Sequence, residues 1–252
     1  MAAKGALLIQ PLEGIPLVRP GDSLADIIFA AVGETNIRVE DGDIFVIAQK
    51  VVSKAEGRSV DLSTVTPSQR AIDLAGVTKK DARLVELILS ESRDVLRVRE
   101  GLIIVEHVSG VVLANAGIDR SNVGDDRVLL LPVDADQSAR QIRAALREKT
   151  RVDSGVLIID SIGREWRNGT IGTVIGSSGV VTLLNLRGRP DLFGRHLETT
   201  EVGWADELAA AASFVMGQAG EGRPVVLARG AAMAGNGATK DLIRNKSTDL
   251  FR

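Results

Sequence analysis

Four polar segments of this 252-residue chain hold side chains able to do chemistry, and each follows or adjoins an apolar run. Segments of that kind lie where a rigid scaffold can present groups to a ligand. The first reads Gln49-Lys50-Val51-Val52-Ser53-Lys54-Ala55-Glu56-Gly57-Arg58. Its two ammonium groups lack the glycine pattern of a Walker A loop, so they form either a phosphate cradle or a solvated basic loop. The second, from Ala114-Asn115-Ala116-Gly117 to Asp119-Arg120-Ser121-Asn122, combines a carboxylate, two carboxamides and a hydroxyl. Asp119 can ligate a metal, or the segment can be an ordinary turn in which Asx side chains bond their own backbone. In the third, Ile158-Ile159-Asp160-Ser161-Ile162-Gly163-Arg164-Glu165-Trp166-Arg167, an apolar strand ends in a carboxylate beside a hydroxyl. Asp160 there suits a metal-phosphate site or a simple cap. Arg164 and Arg167 can clamp an anion through the guanidinium fork, or pack on Trp166. The fourth, Met216-Gly217-Gln218-Ala219-Gly220-Glu221-Gly222-Arg223, permits close backbone approach to a ligand and is otherwise a plain helix end.

Composition removes several competing chemistries. There is no cysteine, so disulfides, thiolate nucleophiles, iron–sulfur ligation and cysteine-containing zinc sites are excluded. His107 and His196 are too few for a His-rich metal site, which leaves hard, oxygen-bound ions such as magnesium or manganese. Charges nearly balance, with 31 Lys+Arg against 33 Asp+Glu, so no general attraction to nucleic acid or anionic membrane follows. Aromatic residues make up only 3% and tyrosine is absent, which argues against stacking platforms for single strands. No GxGxxG after a strand, Walker A or GxSxG motif occurs. The first apolar stretch, residues 6–9, is too short for a signal-peptide core, and no window approaches a spanning helix. The expectation is a cytoplasmic protein that binds neither membrane nor nucleic acid.

The elements that must position these segments follow from periodicity. Ser23 starts a helix carrying Leu24, Ile27, Ile28, Ala31 and Val32 on one face, with Gly33 as its expected end. A turn at Asp41-Gly42-Asp43 feeds the strand Ile44-Phe45-Val46-Ile47-Ala48, apolar on both faces and therefore central. Thr66-Pro67 opens a second helix and a third covers about residues 81–92. A pair of strands turns at Glu100-Gly101, another strand covers Leu129, Leu130 and Leu131, and a helix covers about 138–148. The strand 156–159 follows, then glycine-rich turns at Gly169, Gly172, Gly176 and Gly179, a helix over 204–216 and a last strand over 224–228. Mixed connections favour α+β, with mixed sheets and flanking helices, over a purely wound parallel sheet.

Seven strings in order, EGIPL, QKVVSKAEGR, ANAGIDRSNV, LLPVDAD, IIDSIGREWRNG, ETTEVGWADELAAAA and MGQAGEGRPVVLARG, resemble the coenzyme F420-0:gamma-glutamyl ligase family over about residues 12–230. The resemblance implies a GTP-dependent ligase that adds L-glutamate to coenzyme F420-0, with a second glutamate optional. It also implies one unit across residues 1–252, built of two interleaved lobes in an intertwined homodimer. A C-terminal reductase domain and bound flavin, found in some relatives, are not expected.

Carried over by position, Asp119 and Asp160 resemble catalytic ligands of one Mg2+ or Mn2+ ion, with Ser161 and Gln218 near a second; K+ is an expected helper. Ser161 stands where relatives can have threonine. Gln218 offers a neutral amide where some relatives have a carboxylate, which weakens the second site. Ile15, Pro16, Leu17 and Val18 resemble the segment lining the guanine nucleotide. They are joined by Gln49, Lys50, Lys54, Asn122, Met216, Gly217, Gln218, Ala219, Gly220, Glu221, Gly222 and Arg223. Arg164 and Arg167 are the candidates for holding the anionic acceptor. A folate or other gamma-glutamyl ligase on the same scaffold, and a non-catalytic GTP-binding module, are the competing readings.

Overall fold

A computed structural model describes residues 5–120, 126–231 and 234–251. In chain order its strands and helices are β1 (Leu8–Pro11), α1 (Leu24–Glu34), β2 (Ile44–Ala48), α2 (Gln49–Ala55), β3 (Ser59–Asp61), α3 (Gln69–Thr78), α4 (Ala82–Ser90) and β4 (Ser92–Arg99). There follow β5 (Leu102–His107), β6 (Val112–Ala114), β7 (Arg127–Leu129), α5 (Ala135–Thr150), β8 (Gly155–Arg164) and β9 (Arg167–Ser178). The last are β10 (Leu184–Asn185), β11 (Glu201–Val202), α6 (Trp204–Met216) and β12 (Val225–Arg229).

The fold is α+β, with mixed sheets and flanking helices. Its main sheet has the order β1-β12-β2-β8-β9, and only the β2–β8 pair is parallel. Alternation along the strands sorts side chains onto two faces, as the two-residue period of a strand requires. Phe45 and Ile47 of β2, Val156 and Ile158 of β8, and Val225 and Leu227 of β12 enter a core shared with α1 and α5. Ile44, Val46, Leu157, Ile159 and Val226 enter the opposite core, which α6 closes with Ala205, Leu208, Ala209, Ala212 and Met216. With helices on both faces, β2 has no solvated side, which is why its sequence is continuously apolar. A third core, with Val85, Ile88, Ile103 and Val105 at its centre, lies between the sheet β4-β5-β6 and helices α3 and α4. Among the described residues, no helix is long and apolar enough to cross a membrane.

Several local expectations need correction. Residues 49–58, a loop by polarity, begin with helix α2, whose Gln49, Val51, Val52 and Ser53 are buried. The second helix starts at Gln69 rather than Thr66, because Ser68 caps it by accepting from the Ala71 N–H. Gly33 lies inside α1, which Thr35 ends by donating its hydroxyl to the Ala31 carbonyl at 2.6 Å. Gly169, Gly172 and Gly176 are not inter-element turns but members of the long strand β9. A Cβ at Gly172 would strike the Ala209 carbonyl of α6, and one at Gly176 the Ala135 carbonyl of α5. These glycines let both helices approach the strand backbone, a use of glycine distinct from turning the chain.

Candidate functional site

Because β2 and β8 are parallel, with Ala48 opposite Ile159, β2 ends where β8 runs on beside β9 to Arg164, so the strand expected to stop at 159 continues through Asp160. Beyond that point β2 turns directly into α2, and β8 continues with Asp160 and Ser161. A cavity of about 450 Å³ opens there, within the roughly 300–1,000 Å³ typical of small-molecule sites. One wall is Ile15, Pro16, Leu17 and Val18; a second is Gln49, Lys50 and Lys54 on α2. Asp160 and Ser161 form the strand side, and the segment from Met216 to Arg223 completes the enclosure. Four stretches far apart in sequence therefore meet.

The glycine-bearing segment after α6 is shaped by its own glutamate. Gly217 takes φ +78°, and a Cβ there would collide with the Glu221 carboxyl. Glu221 accepts from the Ala219 N–H at 2.7 Å, and backbone hydrogen bonds hold its pKa below the usual glutamate range. Its carboxylate thus folds the loop that lines the cavity. Gln218 donates from Nε2 to the Ser213 Oγ at 2.7 Å and accepts from the Ser161 hydroxyl at 2.6 Å. On the other side, the side-chain Oε1 of the buried Gln49 accepts from the Ser53 hydroxyl at 2.9 Å.

Asp119 reaches this end of the sheet by a different route. Asn115, Ala116 and Gly117 all have positive φ (51°, 55° and 67°), giving a tight turn in which Ala116 is fully buried. Asn115 is a turn residue, since its side-chain oxygen accepts from the Ile103 N–H at 3.2 Å. The backbone of Asp119 is then pinned to Leu129 by hydrogen bonds in both directions, at 3.0 and 2.8 Å. Its carboxylate meets the Lys50 ammonium at 2.7 Å. Asp160 is pushed up to about 6, by burial first and by the neighbouring Asp119 carboxylate. The Ser161 backbone N–H, Lys50 and Gln49 pull in the opposite direction. Asp119 and Asp160, 41 positions apart by subtraction of their numbers, thus feel one another's charge across Lys50.

The donors here fit a hard divalent ion. Asp119 and Asp160 supply carboxylate oxygens to one locality, and Ser161 and Gln218 supply neutral oxygens already in contact with each other. Like-charged carboxylates raise each other's pKa, and a cation between them removes that repulsion. Among the described residues no three or more acidic, histidine or cysteine side chains are placed together to hold a metal ion. An ion here would therefore complete its shell with ligand oxygens or water, as magnesium commonly does.

Not every expected residue converges. Arg164 and Arg167 pair with each other at the closed end of the β8–β9 hairpin, outside the cavity wall. Arg164 donates to the Asn168 carbonyl at 3.2 Å, while Arg167 and Trp166 are exposed. Asn122 lies outside the described residues. Conversely, Ala48, Val51, Ile159, Ser213 and Pro224 line the cavity without having been singled out from sequence. Ser213 had a readable signal, being a hydroxyl four residues beyond Ala209 on the small, buried face of α6.

Fold and cleft together define an α+β protein whose site, at the end of β2, combines oxygen donors, lysines and glycine-bearing backbone, the class suited to anionic ligands. A sequence model of the family described as F420-0:Gamma-glutamyl ligase matches residues 14–230, and the chain belongs to that family. It is 46% identical over 244 residues to the "Coenzyme F420:L-glutamate ligase" of Methanothermobacter thermautotrophicus, covering 96% of this chain and 97% of that one. The Methanopyrus kandleri protein of the same name is 45% identical, over 98% of this chain and 100% of its own. That of Methanocaldococcus jannaschii is 47% identical, over 85% and 86%.

Proposed function

We propose that this chain is an amide-bond-forming ligase that joins L-glutamate to coenzyme F420-0, driven by GTP. The observation that carries the reading is the agreement of two independent facts. Relatives named coenzyme F420:L-glutamate ligase match nearly end to end, and four of the seven strings that resemble that family converge on one cleft.

The chemistry follows from the acceptor. A carboxylate resists attack by an amine because its charge and poor leaving group disfavour addition. One acceptor carboxylate oxygen first attacks the γ-phosphorus of GTP; the bond to the bridging oxygen breaks and GDP leaves. The glutamate amine then attacks the acyl carbon, gives up a proton, and inorganic phosphate departs with the electron pair of the C–O bond. No protein nucleophile is needed, which suits a site without cysteine. Such transfer depends on positioning and charge neutralisation.

In this reading Lys54 faces the cleft and contacts phosphate oxygens, while Lys50 holds Asp119 in place through their ion pair. The glycine-bearing backbone from Gly217 to Gly222 approaches the nucleotide, and Ile15, Pro16, Leu17 and Val18 form its apolar wall. Asp119 and Asp160 would hold a divalent ion, and Ser161 and Gln218 a second, which when bound would supply charge neutralisation to the phosphates. Asp160 must shed its proton to serve as a ligand, and Lys50 and the Ser161 N–H favour that form. Potassium as a helper, the two-lobed arrangement and a homodimer belong to the same proposal, on the family likeness.

The test incubates the purified protein with GTP, manganese and glutamate, with coenzyme F420-0 or a folate as acceptor, and reads product masses. Glutamyl addition to F420-0 with matching GDP release is expected. Addition to folate alone would replace the acceptor, and GTP binding without any turnover would reject the ligase reading.

A further inference from the structure

At the end of the main sheet opposite the cleft, a second concavity of about 580 Å³ lies along the C-terminal half of α5. It is bounded by Ser178, opposite Val156 at the start of β8. Arg140, Arg143, Arg147 and Arg151 all line it, at steps of three, four and four residues that set them on one helix face. Glu148 is the acid in the wall, and Asn236 adds a neutral amide.

Arg143 is the fixed member. It donates to the Ser154 carbonyl at 2.8 Å and pairs with Asp153 at 2.6 Å. Gly179, at φ +78°, makes room for it, since a Cβ there would strike the Arg143 guanidinium. Arg140 is partly engaged, with the Gln137 side chain at 2.8 Å and Asp134 at 3.8 Å. Arg147 and Arg151 have no side-chain hydrogen bond or ion pair among the described residues. Arg151 also occupies the left-handed C-cap position at φ 59°, where glycine is usual. A helix C-terminus favours cations, which accounts for one or two basic residues there. It does not account for four guanidinium groups around a concavity of ligand size.

We propose that this concavity binds a compact polyanion carrying three or more negative charges. Guanidinium forks match both phosphate and carboxylate oxygens in bidentate geometry. A polyphosphate, free or on a nucleotide, and a short oligocarboxylate chain share that chemistry. The inference stands apart from the proposed ligase activity, because none of its residues lines the cleft.

The test is calorimetric titration of the full chain in chelator, with tripolyphosphate, GTP and tri-γ-glutamate as separate probes. The comparison is among the parent protein, Arg147→Ala/Arg151→Ala and Lys54→Ala, each confirmed folded by thermal melting. For the probe that fits, the arginine double variant is expected to bind about tenfold to a hundredfold more weakly. The arginine-dependent part of the binding should persist in Lys54→Ala, which for GTP removes only the separate cleft event, and affinity should fall steeply with salt. Tripolyphosphate or GTP binding that depends on the arginines identifies a phosphate ligand, whereas tri-γ-glutamate binding identifies a carboxylate one. Unchanged binding of all three probes in the double variant, or no binding by the parent protein, would overturn the proposal. Arg147→Lys/Arg151→Lys provides the conservative control, keeping charge without the fork.

Discussion

Asp160 sits where its negative charge is least welcome, half-buried where β8 runs past the end of β2 and near a second carboxylate. Its pKa is raised from 3.8 to about 6, so the folded chain holds the proton more tightly than the unfolded chain between those pH values. Stability from this group therefore falls as pH rises through that window, and the loss persists above it. Asp160→Asn is expected to stabilise the metal-free protein at pH 7.5 by up to about 3 kcal/mol, raising the melting temperature by several degrees. Below pH 3.8 the gain should vanish. A melting curve across pH checks this, and a variant less stable than the parent at pH 7.5 would refute the assignment of burial as the cause. Lys54 belongs to the same scale but acts on ligand rather than fold. Lys54→Ala should weaken GTP about tenfold to a hundredfold with little change in melting temperature, as measured by equilibrium binding. Residue types made both sites legible, because a carboxylate after an apolar strand and lysines after another are visible in the sequence. The Lys50–Asp119 ion pair was not, since 69 positions separate the two by subtraction and only the paired strands and the turn at Asn115 bring them together.

Elements were recovered where period and caps agreed. The strand over Ile44–Ala48 and the helix over Trp204–Met216 have the bounds their apolar patterns predict. Reading failed where glycine served packing. Gly172 and Gly176 look like punctuation, yet they face the backbone of α6 and α5, a contact no local pattern encodes. That contact yields a prediction. In Gly176→Ala the new methyl would meet the Ala135 carbonyl and Cβ at the first turn of α5, and the helix must shift. Overpacking of this kind costs about 1–3 kcal/mol, measurable by urea denaturation. Gly163→Ala, on the neighbouring strand with open space around its Cα, should change stability far less. The short α2 was hidden for a related reason: its polar composition masks the buried Val51, Val52 and Ser53 that anchor it behind the cleft.

At the scale of the whole molecule, every described residue expected at the nucleotide lines one cavity, while Arg164 and Arg167 stand apart on a hairpin end. That hairpin end presents Trp166, which packs against Phe251 with ring centroids 6.0 Å apart. Leu192 and Phe193 project almost fully exposed from the segment between β10 and β11. The proposed homodimer predicts a light-scattering mass twice that of the chain. A monomer at micromolar concentration would contradict the dimer without touching the chemistry. The chemistry has its own decisive assay, which is acceptor-dependent GDP release by a folded Asp160→Asn variant in GTP, manganese, glutamate and coenzyme F420-0. The variant should release no GDP above background while the parent forms one glutamyl bond per GDP. Turnover equal to the parent's would contradict a shared cation at Asp119 and Asp160.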